Sequence, residues 1–182
     1  SWNFKDNMAK LLINEQNSPK GFKVSSNGSI TFSKDDSRLY FGLATPQIIQ
    51  DTLLLDEEIV NVEVWTYDEP RLYTVQEKQV KNDKNKSFQA VYHLKENKLI
   101  QIESEEFPNS VLSDEGNGNY ALISNRKPYQ LSSQWTGQFS ANDLAVLNIE
   151  NGYSKMAIKG LPSLARFSPK GIYAYGYNEI DT

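Results

Sequence analysis

The chain has 182 residues and a formal charge of −4, with 38% hydrophobic and 12% aromatic residues. That length suffices for an ordinary buried core, and the acidic balance argues against a nucleic-acid partner, which needs a basic face. Cys is absent, which excludes disulfides and thiolate chemistry, and apolar runs such as Leu53–Leu55 are far too short to span a membrane.

In chain order the pattern reads as β-structure. Ten Tyr favour half-buried pleated surfaces over helix bundles. Trp2–Ile13 has the form of a hairpin around a charged-Asn turn, and Ser1–Asp6 lacks the apolar stretch of a signal peptide. Ile30–Gly42 reads as strand, polar turn and second strand. An insertion follows, from Thr45 to Ser87. Within it Val60–Tyr67 alternates apolar and polar as a half-buried strand does. Glu69–Val80 places Leu72, Val75, Gln76 and Gln79 near helical spacing behind Pro70, so it reads as a short helix or an irregular excursion. The lysine-rich stretch Lys78–Lys86, interleaved with Asn, Asp and Gln, is expected as a solvated loop or frayed helix. Such inserted loops either carry binding or are exposed decoration.

Ala90–Ile102 is a second hairpin and Val111–Ile123 a second strand pair. Pro128–Gly137, which holds Trp135, is loop-like. Leu144–Ile158 is a third hairpin, marked by Asn151-Gly152 between apolar runs. Leu164–Tyr175 is a third strand pair. Each strand pair has an apolar residue before a Ser (Phe32-Ser33, Leu112-Ser113, Phe167-Ser168) and then a turn rich in Asp, Gly or Pro. The Ser hydroxyl is expected to bond a backbone amide two residues on.

Hairpins and strand pairs alternate strictly. A strand pair plus the following hairpin makes four strands, the content of one propeller blade, whose usual period is about 40–50 residues. The predicted fold is therefore all-β: a partial β-propeller of antiparallel four-stranded blades. It comprises a half-blade hairpin at 1–15, a blade at 30–104 carrying the insertion 45–87, a blade at 111–158, and a half-blade strand pair at 164–178. The alternative is a generic antiparallel sandwich. Half-blades leave open strand edges, which are expected to pair with each other or with a second copy.

Catalytic apparatus is not evident. No Gly-x-Ser-x-Gly elbow occurs, and the single His, His93, sits mid-strand where a packed or surface role outweighs a general base. Without Cys or a second His a zinc site is not expected. Asp56-Glu57-Glu58 and Glu105-Glu106 are adjacent carboxylates, which on a strand point to opposite faces and need not converge. No catalytic residue, cofactor or metal ligand is assigned. Trp2, Trp65 and Trp135 are expected in packing between blades, and Trp65 and Trp135 are the candidate ligand contacts if they are exposed.

The strings Ile30–Ala44, Val62–Asp68 and Ala90–Leu94, continued by Pro128-Tyr129, Gln134-Trp135, Asp143–Val146 and Phe167–Gly171, resemble the N-terminal propeller of bacterial prolyl oligopeptidase family proteins, including the dipeptidyl peptidase IV-like enzymes. The resemblance covers nearly the whole chain, although its acidic-Gly turn reads Asp35-Asp36 in one copy and Pro169-Lys170-Gly171 in another. It implies a non-catalytic structural and substrate-gating segment of a larger serine peptidase. The partners would be a C-terminal α/β-hydrolase domain of the parent chain, which holds the Ser, Asp and His, and a peptide substrate. It also implies a periplasmic or secreted parent. Glu57-Glu58 matches the substrate-amine pair of dipeptidyl peptidases by type only, and that role is not carried over. A rival function is a stand-alone carbohydrate- or protein-binding β module.

Overall fold

The computed structural model describes residues 9, 11–14, 16–46, 66, 69, 71–137 and 140–178. The expected hairpin at 1–15 is described only at residues 9 and 11–14, and the expected strand Val60–Tyr67 only at Thr66, so both otherwise lie outside the described residues. The strands are β1 (Lys23–Val24), β2 (Thr31–Phe32), β3 (Arg38–Ala44), β4 (Phe88–His93), β5 (Lys98–Gln101), β6 (Asn109–Leu112), β7 (Tyr120–Asn125), β8 (Asn142–Asn148), β9 (Ser154–Leu161), β10 (Arg166–Phe167) and β11 (Ala174–Tyr175). The two helices among the described residues are α1 (Tyr73–Lys84) and α2 (Lys127–Thr136).

The strands form three antiparallel sheets, each a meander in chain order, so the all-β class holds. In the first sheet β1 and β2 both pair with β3, which pairs with β4, and β4 with β5. The second runs β6-β7-β8-β9, and the third is the pair β10-β11. The first sheet begins at Lys23, upstream of the Ile30 expected from sequence. Its first strand is split because residues 25–30 arch across β3, with the Ser25 amide donating to the Gly42 carbonyl at 2.8 Å. The backbones meet so closely there that a Cβ on Gly28 would stand 2.6 Å from the Gly42 Cα, which excludes any side chain.

Successive residues of a strand face opposite sides, and the central strands here are apolar on both. Tyr40 and Val91 point toward the second sheet and join Ile100, Ala121, Ile123, Ala145, Leu147 and Ile149 in one core. Their neighbours Phe41, Leu43, Ala90 and Tyr92 face the other way and are covered by Leu12, Ile13 and Phe22. On the second sheet Leu122, Leu144 and Leu161 turn away from the first and pack with Val146, Ala165 and Phe167. The layers thus stack serially: N-terminal segment, first sheet, second sheet, third sheet. Burying each large apolar side chain in this stack contributes about 2 kcal/mol.

The Ser-containing turns share a hydroxyl device, but its span differs from the expected two residues. The Ser33 hydroxyl accepts the Arg38 amide at 3.0 Å, Ser168 accepts the Tyr173 amide at 3.1 Å, and Ser113 accepts the Tyr120 amide at 3.2 Å. The hydroxyl therefore reaches across to the first residues of the next strand and pins the two strands together. In the first copy the Ser33 and Ser37 hydroxyls also donate to Asp35, and these bonds lower its carboxyl from the ordinary 3.8 to about 2. The Asn151-Gly152 hairpin forms as predicted between β8 and β9. Only Gly152 there is left-handed (φ 79°), and the Asn151 side chain accepts the Tyr153 amide at 2.8 Å, so the connection is longer than a two-residue primed turn.

A polar clamp joins the first two sheets at one end. Asp114, Glu115 and Gly116 run left-handed in succession (φ 47°, 50° and 93°) and aim their backbone at β3. Arg38, only 9% exposed, donates to the carbonyls of Gly116, Asn117 and Gly118 at 3.3, 3.0 and 2.6 Å, and to the Asn119 side chain at 2.5 Å. Tyr40 donates its hydroxyl to the same Gly116 carbonyl at 2.6 Å, and Lys34 pairs with Glu115 outside. A buried guanidinium is tolerated here because several oxygens solvate it. Arg38→Gln should lower stability by about 3 kcal/mol in urea titration, since buried carbonyls lose charged donors, and Arg38→Lys should recover only part. A loss below about 1 kcal/mol would show that water replaces the clamp.

Candidate functional site

The two helices occupy equivalent places in their sheets: α1 lies between β3 and β4, and α2 between β7 and β8. Both are the connection between the second and third strand positions of a meander, so both rise from the same end of the stack. The Leu72 amide, at the start of α1, donates to the Gln134 side chain of α2 at 2.9 Å. Pro128–Gly137, expected as a loop, is mostly helical. Pro128 suits the first turn, and Gly137 (φ 68°) ends the helix with its amide on the Ser133 carbonyl. The lysine-rich stretch is helical through Lys84, the firmer of the two forms its composition allowed.

Between the helices lies a cleft of about 1040 Å³. Among the described residues its lining carries five cations, Arg71, Lys84, Lys86, Arg126 and Lys127, against two carboxylates, Asp83 and Glu105. Phe88 and Pro108 supply apolar surface, and Lys86 lies 5.1 Å above the Phe88 ring. The cations are held in place by their own bonds. Arg71 pairs with Asp83 at 2.7 Å and reaches Gln79 at 2.7 Å. Lys127 donates to the Glu105 carbonyl at 2.7 Å. Arg126 donates to the Asn142 side chain at 2.6 Å, and buried Asn142 in turn bonds the Leu161 and Ser163 carbonyls. Behind them Tyr129 on α2 donates to Asp143 at 2.7 Å, which fixes the helix to β8. Burial pushes the Lys86 ammonium below the ordinary lysine range, and the charge of Lys127 adds to that, while Asp83 and Glu105 oppose it.

Of the candidate aromatic, His and carboxylate residues singled out in the sequence, Glu105 is the one that the described structure brings to the cleft. Trp135 sits on α2 and is 76% exposed, so it is not packed between sheets. Trp2, Trp65 and Asp56-Glu57-Glu58 lie outside the described residues. His93 is buried at the far end of β4 from the cleft, about 16 Å along the strand from Phe88 at ~3.3 Å per residue. Its Nε2 bonds the Ile149 carbonyl at 2.8 Å, which ties the first sheet to the second. Lys95 lies in the turn that follows β4. Glu105 and Glu106 are both exposed, and only Glu105 lines the cleft. Among the described residues no three His, Asp or Glu side chains gather as metal ligands.

No protein-family model matches the chain, and no curated protein matches it either.

The cleft's cations are scattered in the sequence: Arg71, then Lys84 and Lys86 of the lysine-rich stretch, then Arg126-Lys127. What signalled their meeting was their common place before the third or after the second strand of a repeat. A pH titration of the lysine ammonium groups by NMR should find Lys86 deprotonating below the usual lysine value. Lys127→Gln should move that midpoint upward by removing a like charge. A Lys86 midpoint indifferent to Lys127 would mean the two do not share one field.

Proposed function

We propose that the chain is a run of consecutive β-propeller blades, itself non-catalytic, serving as a structural and substrate-gating wall of a larger serine peptidase of the prolyl oligopeptidase type. The observation that carries the propeller part is the two-sided burial of the two larger sheets, of five and four strands. A sandwich buries one face of each sheet, whereas blades of a wheel are covered by a neighbour on either side, in chain order. The first sheet has the N-terminal segment on one face and the second sheet on the other, and the second sheet has the third beyond it. Insertions from equivalent positions on one side also suit a wheel whose one rim faces a ligand. The peptidase part rests on the motifs quoted from the sequence. The one His of the chain, His93, is committed to the Ile149 carbonyl, which fits a role in packing.

In this reading the third sheet is the start of a further blade. Ile172, Tyr173, Tyr175 and Tyr177 are each at least 58% exposed on or beside it, an apolar surface that a following β element or a second copy would cover.

The whole reading frame from which these blades come should encode an α/β-hydrolase domain. The full-length product should cleave dipeptide or acyl-peptide chromogenic substrates, while the 182-residue chain alone should not. Turnover by this chain that disappears on a point substitution within it would overturn the assignment. Light scattering should find concentration-dependent self-association of the isolated chain, reduced by Tyr173→Asp. A monomer at every concentration would show that the exposed tyrosines need no cover.

A further inference from the structure

We propose that the cleft between α1 and α2 binds an acidic peptide segment in extended form. The inference stands on the cleft itself and survives even if the peptidase reading fails.

The sign of the charge is the first reason. The chain carries −4 overall, yet the described residues of the cleft lining carry five cations and two carboxylates, a formal excess of 5 − 2 = +3. Gathering like charges against a net-negative background costs repulsion unless an anion completes the site. That repulsion is felt on the spot, where Lys127 disfavours the charged form of Lys86.

The layout is the second reason. Lys84 ends α1, Lys86 lies two residues before β4, and Arg126 and Lys127 stand at the start of α2, so the cations line both walls of the cleft. Each is already anchored or stacked: Arg71 on Asp83, Lys127 on the Glu105 carbonyl, Lys86 over Phe88. A phosphate cradle instead points several N–H groups at one spot. Spread cations with an apolar strip from Phe88 and Pro108 between them fit a ligand with several carboxylates along its length. A volume of about 1040 Å³ is at the large end for a small-molecule pocket and leaves room for several residues. A nucleic-acid backbone would also bring repeated anions, but the net charge of −4 opposes its approach to the rest of the surface.

The test is fluorescence anisotropy with fluorescein-labelled hexaglutamate, using hexaglutamine as the uncharged comparison. The whole 182-residue chain is used. Hexaglutamate should bind and hexaglutamine should not, and added salt should weaken the binding. Lys86→Gln with Lys127→Gln should weaken it by about tenfold or more. Lys78→Gln with Lys81→Gln, which removes two charges of α1 that do not line the cleft, should leave it within about twofold. Circular dichroism melting checks that both double variants fold. If the first does not, Lys127→Glu, at an exposed position, replaces it and should abolish binding. No binding of hexaglutamate, equal binding of both peptides, or equal loss in the two double variants would overturn the proposal. So would displacement by inorganic phosphate at concentrations where chloride has no effect, which would reassign the cleft to a single compact anion.

Discussion

The central strands of this protein carry apolar side chains on both faces, and the rest of the architecture answers to that constraint. Tyr40 and Val91 turn one way while Phe41, Leu43, Ala90 and Tyr92 turn the other, and β7 and β8 repeat the division. A sheet built from such strands cannot leave either face in water. It needs a layer on each side, and each of those layers faces the same need in turn. Serial stacking follows directly, and so does the exposed apolar surface around Tyr173 and Tyr175 on the last two-stranded sheet.

Apolar packing between sheets is non-directional, so polar groups have to set how one layer sits on the next. At one end of the first interface Arg38 and Tyr40 converge on the left-handed stretch Asp114–Gly116, which offers carbonyls that a normal turn would point elsewhere. At the same end His93, the residue paired with Arg38 across β3 and β4, bonds the Ile149 carbonyl, and its other neighbour Lys98 reaches Glu150. At the other end Ser110 donates to Gln89 and Glu103. These bonds pin the two ends of the interface and tie sequence positions more than fifty residues apart at Arg38, Tyr40, His93 and Lys98. They give the pair of sheets one registration, where hydrophobic contact alone would allow several.

The same registration creates the cleft. Because the sheets are stacked in phase, the connections leaving their second strands emerge side by side, and two helices of ordinary polarity become facing walls. Neither helix has a buried side chain of its own among the described residues. They are held by a few polar bonds, Leu72 to Gln134 and Tyr129 to Asp143, and it is the C-terminal end of α1 (Asp83, Lys84) and the N-terminal end of α2 (Lys127) that bring charge to the cleft.

Much of the β content was legible in the residues themselves. Alternating apolar runs located β3, β4, β7 and β8, and turn residues such as Asn151-Gly152 and Pro169-Lys170-Gly171 marked the reversals, because these signals depend on a few neighbouring side chains. Local chemistry misled at Pro128–Gly137, where polar residues looked like loop yet Pro128 and Gly137 bound a helix, and at Ser33, Ser113 and Ser168, whose hydroxyls reach across the turn instead of two residues along it. The tertiary structure alone decided which face of each strand meets which sheet, that Arg38 would be solvated by carbonyls about eighty residues away, and that Lys86 and Lys127 would share one electrostatic field. Those outcomes depend on the phase in which whole sheets stack, a property of many contacts at once that no single stretch of the chain encodes.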